Sequence, residues 1–328
     1  MAGADSATRS EDAAPGLILV TGPSRPDTDR RRITEAAGPH EVRFVDAVDA
    51  TDPALAYAVA VAGTVPGPVL AAAPRLRWVH GWAAGADGNL TPEMLASEVV
   101  LTTSVGNGAI PLAEHAMLLM MMLNRDVPRW MRAQQDHRWD RFTHGELAGL
   151  TLGVFGVGHS GGDLARKAQA FRMRVLGCRR NPERTVEGVE RMYAVNDLHA
   201  FLGECDMVVV TAPATDETLG VFDEKAFRAM KPTAFWICFS RGGIADDAAL
   251  LTALREGWIA GAGIDAHSVE PLPADSPFWD APNTIITPHN GATTAATARR
   301  GLDIFVDNLA RFATGRDLVN VVDKAAGY

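Results

Sequence analysis

Cysteine is scarce in this chain, with only Cys178, Cys205 and Cys238 in 328 residues, far apart and with no CxxC pair. That pattern gives neither a disulfide framework nor a cysteine metal site, and buried free thiols are the preferred reading. Basic residues are outnumbered, 31 Lys and Arg against 40 Asp and Glu, for a net charge of −9. No block of like charge occurs, so nucleic acid is not an expected partner. Long apolar runs are missing too. The most apolar stretch, Ala113 to Leu123, falls short of the ~20 residues that span a bilayer. Residues 1 to 15, MAGADSATRSEDAAP, lack the apolar core of a signal peptide and read as a disordered polar tail. A soluble, cytoplasmic protein without membrane partners is expected. No tandem repeat is visible.

What is present begins with 47% hydrophobic residues in a chain long enough for two domains, each with its own core. The most informative stretch is Leu152 to Arg180, which reads as strand, glycine turn, helix and second strand. Gly156, Gly158 and Gly161 stand in G-x-G-x-x-G spacing after the apolar run Leu152, Val154 and Phe155. Gly156 permits the tight turn, Gly158 lets backbone approach a pyrophosphate, and Gly161 lets helix and strand pack closely. A pyrophosphate would then rest on the free N–H groups of the helix start, around His159 and Ser160. Leu164, Ala168 and Phe171 recur at helical spacing, and Arg174 to Cys178 supplies the second strand.

Ahead of this unit, segments 16–22, 41–47, 58–63, 78–81 and 99–104 look like short strands separated by helical or polar segments. That alternation predicts a parallel α/β domain. The loop Gly81-Trp82-Ala83-Ala84-Gly85-Ala86-Asp87 either opens backbone N–H groups to a carboxylate, with Ala83, Ala84 and Gly85 as candidates, or is a plain connection. From Pro111 the text AEHAMLLMMMLNR suits a buried helix between domains, its Met run serving packing and Glu114 and His115 being hydrogen-bonded core groups. Segment 127–147 is expected to cross back over the first domain or to meet another subunit. Further on, segments 206–212, 233–239, 259–265 and 284–287 read as strands, Asp246 as a helix cap, and 293–314 as a long amphipathic helix stopped by Gly315.

Three strand-end segments carry the chemistry: Ser240-Arg241-Gly242-Gly243, Asp265 to Pro271, and Thr287-Pro288-His289-Asn290-Gly291. Ligands of open α/β sheets bind beyond the carboxyl ends of strands. Singly, Arg241 can be a surface ion pair, Glu270 a solvated charge and His289 a satisfied loop histidine. As a set they meet the needs of hydride transfer to a 2-oxo acid. Arg241 can hold a carboxylate through two parallel N–H···O bonds. His289 can donate the proton that the carbonyl oxygen gains. Glu270, accepting from the other ring nitrogen, would fix the tautomer and favour the imidazolium, with Asp265 as a further partner.

These residues, with GVGHSGGDLA, TAPATDETLG, SRGGIADDAALLTAL, GAGIDAHSVEPLP and TPHNGATT in order, resemble the D-isomer-specific 2-hydroxyacid dehydrogenases, glyoxylate/hydroxypyruvate reductases among them, from about Gly16 to Val322. The resemblance implies a Rossmann nucleotide-binding domain over 109–291 inserted in a flavodoxin-like substrate-binding domain over 16–108 and 292–328, each a doubly wound parallel sheet. It implies a homodimer closed through the nucleotide domains, and a reductase acting between NAD(P)H and a small 2-oxo acid. Its catalytic group maps onto Arg241, Glu270 and His289. Cofactor contacts are expected from Gly156, Gly158, His159, Ser160, Gly161, Arg179, Arg180, Ala212, Pro213, Thr218 and Asp265, and substrate contacts from Ala83, Ala84, Gly85, Arg241 and His289. Cys238, Phe239, His267 and Asn290 depart from the family's usual text, which predicts a pocket altered on two sides and leaves the substrate open. Two other readings keep the same fold: a nicotinamide-sensing corepressor, which this chain's short leader disfavours, and a phosphite dehydrogenase with the same triad. Formate dehydrogenases carry glutamine where Glu270 stands.

The cofactor follows from what comes after the second strand. NAD-specific sites place a carboxylate roughly 20 positions past the glycines. Here Arg179 and Arg180 occupy that place. Arginine cannot accept from a ribose hydroxyl but pairs well with a phosphate, so NADP(H) is expected over NAD(H).

Overall fold

A computed structural model describes residues 15–328, and among them the chain forms two compact units. One comprises the described residues up to Asn107 together with Ala295–Tyr328, the other Gly108–Thr294. Apart from Pro15, the tail expected over residues 1 to 15 lies outside the described residues.

The first unit is an all-parallel sheet of β1 (Leu17–Thr21), β2 (Glu41–Val45), β3 (Ala58–Ala62), β4 (Trp78–Gly81) and β5 (Val100–Thr103), in the order β2-β1-β3-β4-β5. Successive side chains of a strand point to opposite faces. Leu17 and Leu19 of β1 accordingly join Val61, Val79 and Leu101 in one core, while Ile18 and Val20 join Ala60 and Trp78 in another. The second core is closed by Leu302, Phe305 and Leu309 from the helix Ala295–Ala313, with Phe305 stacked on Trp78 at 5.8 Å between ring centroids. Gly315, at φ +67°, follows that helix where the sequence predicts its stop.

The second unit is also all parallel: β6 (Thr151–Phe155), β7 (Arg174–Cys178), β8 (Arg191–Tyr193), β9 (Met207–Val210), β10 (Phe235–Cys238), β11 (Gly261–Ile264) and β12 (Thr284–Ile286), ordered β12-β11-β10-β9-β6-β7-β8. The order reverses at β6, which puts a topological switch point at its carboxyl end. The same alternation builds two cores: Val208 and Val210 face Phe155, Trp236 and Phe227, whereas Met207 and Val209 face Leu152, Val154 and Ile237.

The helix Ala109–Asn124 gives Ala113, Ala116, Met117, Leu119, Met120 and Leu123 to the second of these cores. It is not buried all round as its sequence suggests, because the sheet covers one face and leaves Ile110, Leu118 and Met121 exposed. Segment 127–147 makes these contacts within its own unit. Arg129 donates to Asp140 at 2.7 and 3.0 Å and lies over the Phe142 ring, and the Gly145 N–H reaches the Asn124 carbonyl. The three cysteines are free and buried, and burial pushes the Cys178 and Cys205 thiols up to about 12. Among the described residues no helix is long and apolar enough to cross a membrane.

Candidate active site

The site occupies one edge of the seven-stranded sheet, where seven parallel strands present their carboxyl ends. At its middle, Gly156 turns the chain at φ +95°, and a Cβ there would collide with the backbone of Ala212 beyond β9. Gly158 precedes the helix His159–Ala170, with no side chain capping the helix start and open space where a Cβ would stand. The first N–H groups of a helix have no intrahelical partner. A side chain at Gly158 would fill the space in front of them, so its absence suits a pyrophosphate. A Cβ at Gly161 would lie 2.9 Å from Val154 Cγ1 and 3.1 Å from the Gly156 carbonyl, which is the close helix–strand packing predicted for it.

On one side of this turn, at the end of β7, the Arg179 backbone N–H donates to Tyr193 of β8 at 3.0 Å and its side chain is half-buried. Arg180 is exposed and pairs with Glu217 at 2.9 Å. Beyond β9, Ala212 is buried and Pro213 exposed. The Thr218 hydroxyl is spent within that loop, donating to the Pro213 carbonyl at 2.7 Å and accepting from the Thr215 N–H at 2.8 Å. His159 is exposed and Ser160 half-buried at the helix start.

On the other side, β10, β11 and β12 are neighbours, and their ends carry Arg241, Glu270 and His289 in adjacent loops. Gly242 locks the first two of these loops together, because a Cβ there would collide with the His267 carbonyl. The half-buried Arg241 donates through Nη1 to the Ser240 carbonyl at 2.7 Å. His289 Nδ1 lies 2.8 Å from Glu270 Oε2 and 2.9 Å from Oε1. A carboxylate only accepts, so Nδ1 carries the hydrogen and Nε2 is the atom left to exchange a proton. Partial burial alone would raise the Glu270 carboxyl, yet the His267 N–H at 2.9 Å and the His289 ring outweigh it and hold that carboxyl below its ordinary range. The Glu270 carboxylate therefore stays ionised further to the acid side than an ordinary carboxylate, and what its ionised form contributes is lost as the pH falls through that lowered value.

His289 sits at φ +49°, in the left-handed region. Such a conformation costs about 1–3 kcal/mol for a residue other than glycine and persists only where surroundings impose it. Asp265 imposes it here. Wholly buried, it accepts from the Asn290 N–H at 3.1 Å, the Gly291 N–H at 3.0 Å and the Thr287 hydroxyl at 2.6 Å. Its part in the described structure is thus to shape the loop that carries the histidine. Ala83, Ala84 and Gly85 lie after β4 in the first unit, the two alanines exposed and the Ala83 carbonyl accepting from the Ser104 N–H at 3.1 Å.

The family model for the D-isomer specific 2-hydroxyacid dehydrogenase NAD binding domain matches residues 117–291, a span that holds all three strand-end groups and the glycine turn. The chain belongs to the D-isomer specific 2-hydroxyacid dehydrogenase family. Like other family members it is an oxidoreductase with an NAD(P)-binding domain. This dehydrogenase is 34% identical over 265 residues to the glyoxylate reductase of Korarchaeum cryptofilum, covering 78% of this chain and 79% of the relative. It is 34% identical over 301 residues to the D-3-phosphoglycerate dehydrogenase of Mycobacterium tuberculosis, covering 90% of this chain but only 54% of that longer protein. Among solved structures, it matches the family member from Xanthobacter autotrophicus Py2 in complex with NADPH and MES, with a TM-score of 0.83 and 29% identity over 96% of this chain and 100% of that one. It matches equally the NADPH-dependent glyoxylate/hydroxypyruvate reductase of Sinorhizobium meliloti in complex with NADP and sulfate, with a TM-score of 0.83 and 29% identity over 95% of this chain and 100% of that one.

Three of the four departures from the family's text lie inward in this dehydrogenase. Cys238 and Phe239 are 1% and 3% exposed and face the two hydrophobic cores, and the Cys238 thiol also reaches the Arg241 carbonyl at 3.5 Å. His267 is buried too, its Nε2 at 3.2 Å from the Thr287 carbonyl. Of the four departures only Asn290 is exposed. Sequence reasoning missed Glu217, which engages Arg180, and the grip of Asp265 on the 287–291 loop. The acidic text DET beside the β9 loop was the available signal for the former.

Proposed function

We propose that this dehydrogenase reduces a small 2-oxo acid to the D-2-hydroxy acid with NADPH, with His289 as acid, Glu270 as its partner and Arg241 on the substrate carboxylate. The observation that carries the reading is the Nδ1–Glu270 contact at 2.8 Å, which leaves Nε2 to serve a substrate oxygen. The bound nicotinamide supplies the hydride. His289 delivers the proton from Nε2 to the developing alkoxide, and Glu270 stabilises the imidazolium before transfer. Arg241 fixes the carboxylate through two N–H groups, which sets the face of the carbonyl offered for reduction. The N–H groups behind Gly158 would hold the pyrophosphate. Relatives named glyoxylate reductase and glyoxylate/hydroxypyruvate reductase make two- and three-carbon 2-oxo acids the first substrates to test. In this reading the Gly108–Thr294 unit is the nucleotide domain and the other the substrate domain. Turnover of a 2-oxo acid panel with each reduced cofactor, followed by chiral analysis of the product, tests the proposal. No turnover of any member, or an L product, sinks it.

Cofactor choice rests on Arg179. Arg179, half-buried at the end of β7 with the exposed Arg180 beside it, is the guanidinium assigned to a 2′-phosphate in this reading. The parent is expected to favour NADPH over NADH at least about tenfold in kcat/KM, roughly 1.4 kcal/mol of differential transition-state binding. Arg179→Asp should lose or reverse that bias. The comparison is made at one salt concentration, because the phosphate contact is screened. A parent that prefers NADH refutes this role.

The exposed apolar side chains Leu118, Met121, Trp130, Met131 and Trp139, the last 91% exposed, all belong to the nucleotide unit. Large exposed apolar area on a subunit marks an interaction surface. A homodimer closed through this unit covers them, and sedimentation equilibrium should return twice the 35.0 kDa chain mass. Met131→Glu with Trp139→Glu should return the monomer. A monomeric parent would remove the proposal.

A further inference from the structure

We infer that Thr287 is the post on which the acid–base loop is locked, and that His115 and His267 are positioning residues that act on His289 through it. The inference rests on the reading of His289 as proton donor. Thr287 follows β12 directly and precedes His289 by two residues. Three groups hold it. Its hydroxyl lies 2.6 Å from Asp265 Oδ1 and 3.0 Å from His115 Nε2, and its carbonyl lies 3.2 Å from His267 Nε2.

The donor directions follow from the chemistry. The Asp265 carboxylate accepts, so the Thr287 hydroxyl proton points to it, and the hydroxyl oxygen accepts from His115 Nε2–H. A carbonyl cannot donate, so His267 also presents Nε2–H. Two histidines from different elements, one on the helix Ala109–Asn124 and one on the loop after β11, thus bond opposite groups of one residue. His267 has a second duty: its backbone N–H holds Glu270 Oε1 at 2.9 Å. One residue therefore ties the carboxylate of the dyad to the strand end that carries its histidine.

The far side of the loop is pinned as well. Asn290 and Gly291 donate to Asp265, and a Cβ at Gly291 would stand 3.0 Å from both Asp265 Oδ2 and His115 Cδ2, so glycine is what lets His115 close over this point. Pro288 fixes the intervening φ. Between these anchors His289 keeps its left-handed φ. The side-chain bonds of His115 and His267 go to Thr287, and their effect on His289 runs through backbone placement. The charged and titratable groups around His289 in this unit are Glu270 in contact, Asp265 beneath the loop, His267 and His115 behind Thr287, and Arg241 on the neighbouring loop.

The test compares paired variants of the full-length enzyme: Thr287→Val against Thr287→Ser, and His115→Leu against His115→Gln, whose amide can replace the Nε2 donor. Displacements of about 1 Å can cost a hundredfold in rate. Thr287→Val and His115→Leu should lower kcat about 10- to 100-fold with little change in the KM for reduced cofactor. They should also lower the pKa of the His289 imidazolium, read by NMR on histidine-labelled protein, because its contact with Glu270 is loosened. Thr287→Ser and His115→Gln should restore most of both. Should Thr287→Val fail to fold, the His115 pair carries the same comparison. Parent-like kcat and an unmoved His289 titration in the Val and Leu variants overturn the inference, as would Ser and Gln variants no better than Val and Leu. The NMR readout needs no substrate, so failure of the parent to reduce any 2-oxo acid would count against the functional reading and leave the positioning result decisive by itself.

Discussion

His289→Ala is expected to lower 2-oxo acid reduction by about 10²–10⁴-fold, the usual contribution of a positioned proton donor, while reduced cofactor still binds. The separation of effects follows from the sheet order. The glycine turn ends β6, and β9, β10 and β11 lie between it and the strand that leads to His289. Cofactor affinity, followed by quenching or transfer fluorescence, should stay within a few-fold of the parent. A variant that keeps its turnover would show that the proton comes from elsewhere. Glu270→Gln tests the same pair from the other side. Reduction needs the imidazolium, so activity falls as the pH rises through its pKa. Without an anionic partner that pKa drops, and the alkaline limb of the rate profile moves to lower pH. An unmoved limb would mean that the 2.8 Å contact is not made in the working enzyme.

Arg241→Lys should cost orders of magnitude in kcat/KM although the charge is kept. A guanidinium meets a carboxylate through two parallel N–H groups, whereas an ammonium is a point charge on a flexible stem. The structure sharpens the expectation, because Nη1 already donates to the Ser240 carbonyl and the following Gly242 is pressed against the His267 backbone. The arginine is thus oriented by its own loop, an orientation that lysine, with its rotatable head, does not inherit. The loss should fall on KM for the 2-oxo acid and on kcat together. Parent-like kinetics would move carboxylate binding to another segment, with the backbone of Ala83 to Gly85 the next to examine.

Much of this was legible in the sequence, for physical reasons. Alternating apolar strands and helices between glycine and aspartate signals announce parallel sheets, and each of Arg241, Glu270 and His289 stands just past an apolar run that had to be a strand. The burial of Cys238 and Phe239 was legible as well, since alternation puts them on opposite faces beside Trp236 and Ile237, one in each core. What could not be read was tertiary. The strand β8 has three residues, one of them Arg191, and pairs only at the sheet edge, so it leaves no apolar run. The ion pair of Arg180 with Glu217 joins two loops that no local rule connects. Nothing in a histidine announces a φ of +49°, which follows only once Asp265, far back along the chain, grips the backbone beyond it.

The division of the chain also sets an order of events during synthesis. Ile18, Val20, Ala60 and Trp78 emerge from the ribosome early, but the helix that covers them supplies Leu302, Phe305 and Leu309 only after the whole of Gly108–Thr294 has been made. At 5–20 residues per second that interval is on the order of ten to forty seconds. Through it the nascent first sheet lacks the helix that closes one of its apolar faces, whereas the inserted unit is one continuous segment that holds all of its own strands and can finish first. A ribosome that stops before Ala295 leaves a polypeptide with the two cores of the inserted unit complete and the first sheet without Leu302, Phe305 and Leu309, a substrate for holding chaperones and for proteases.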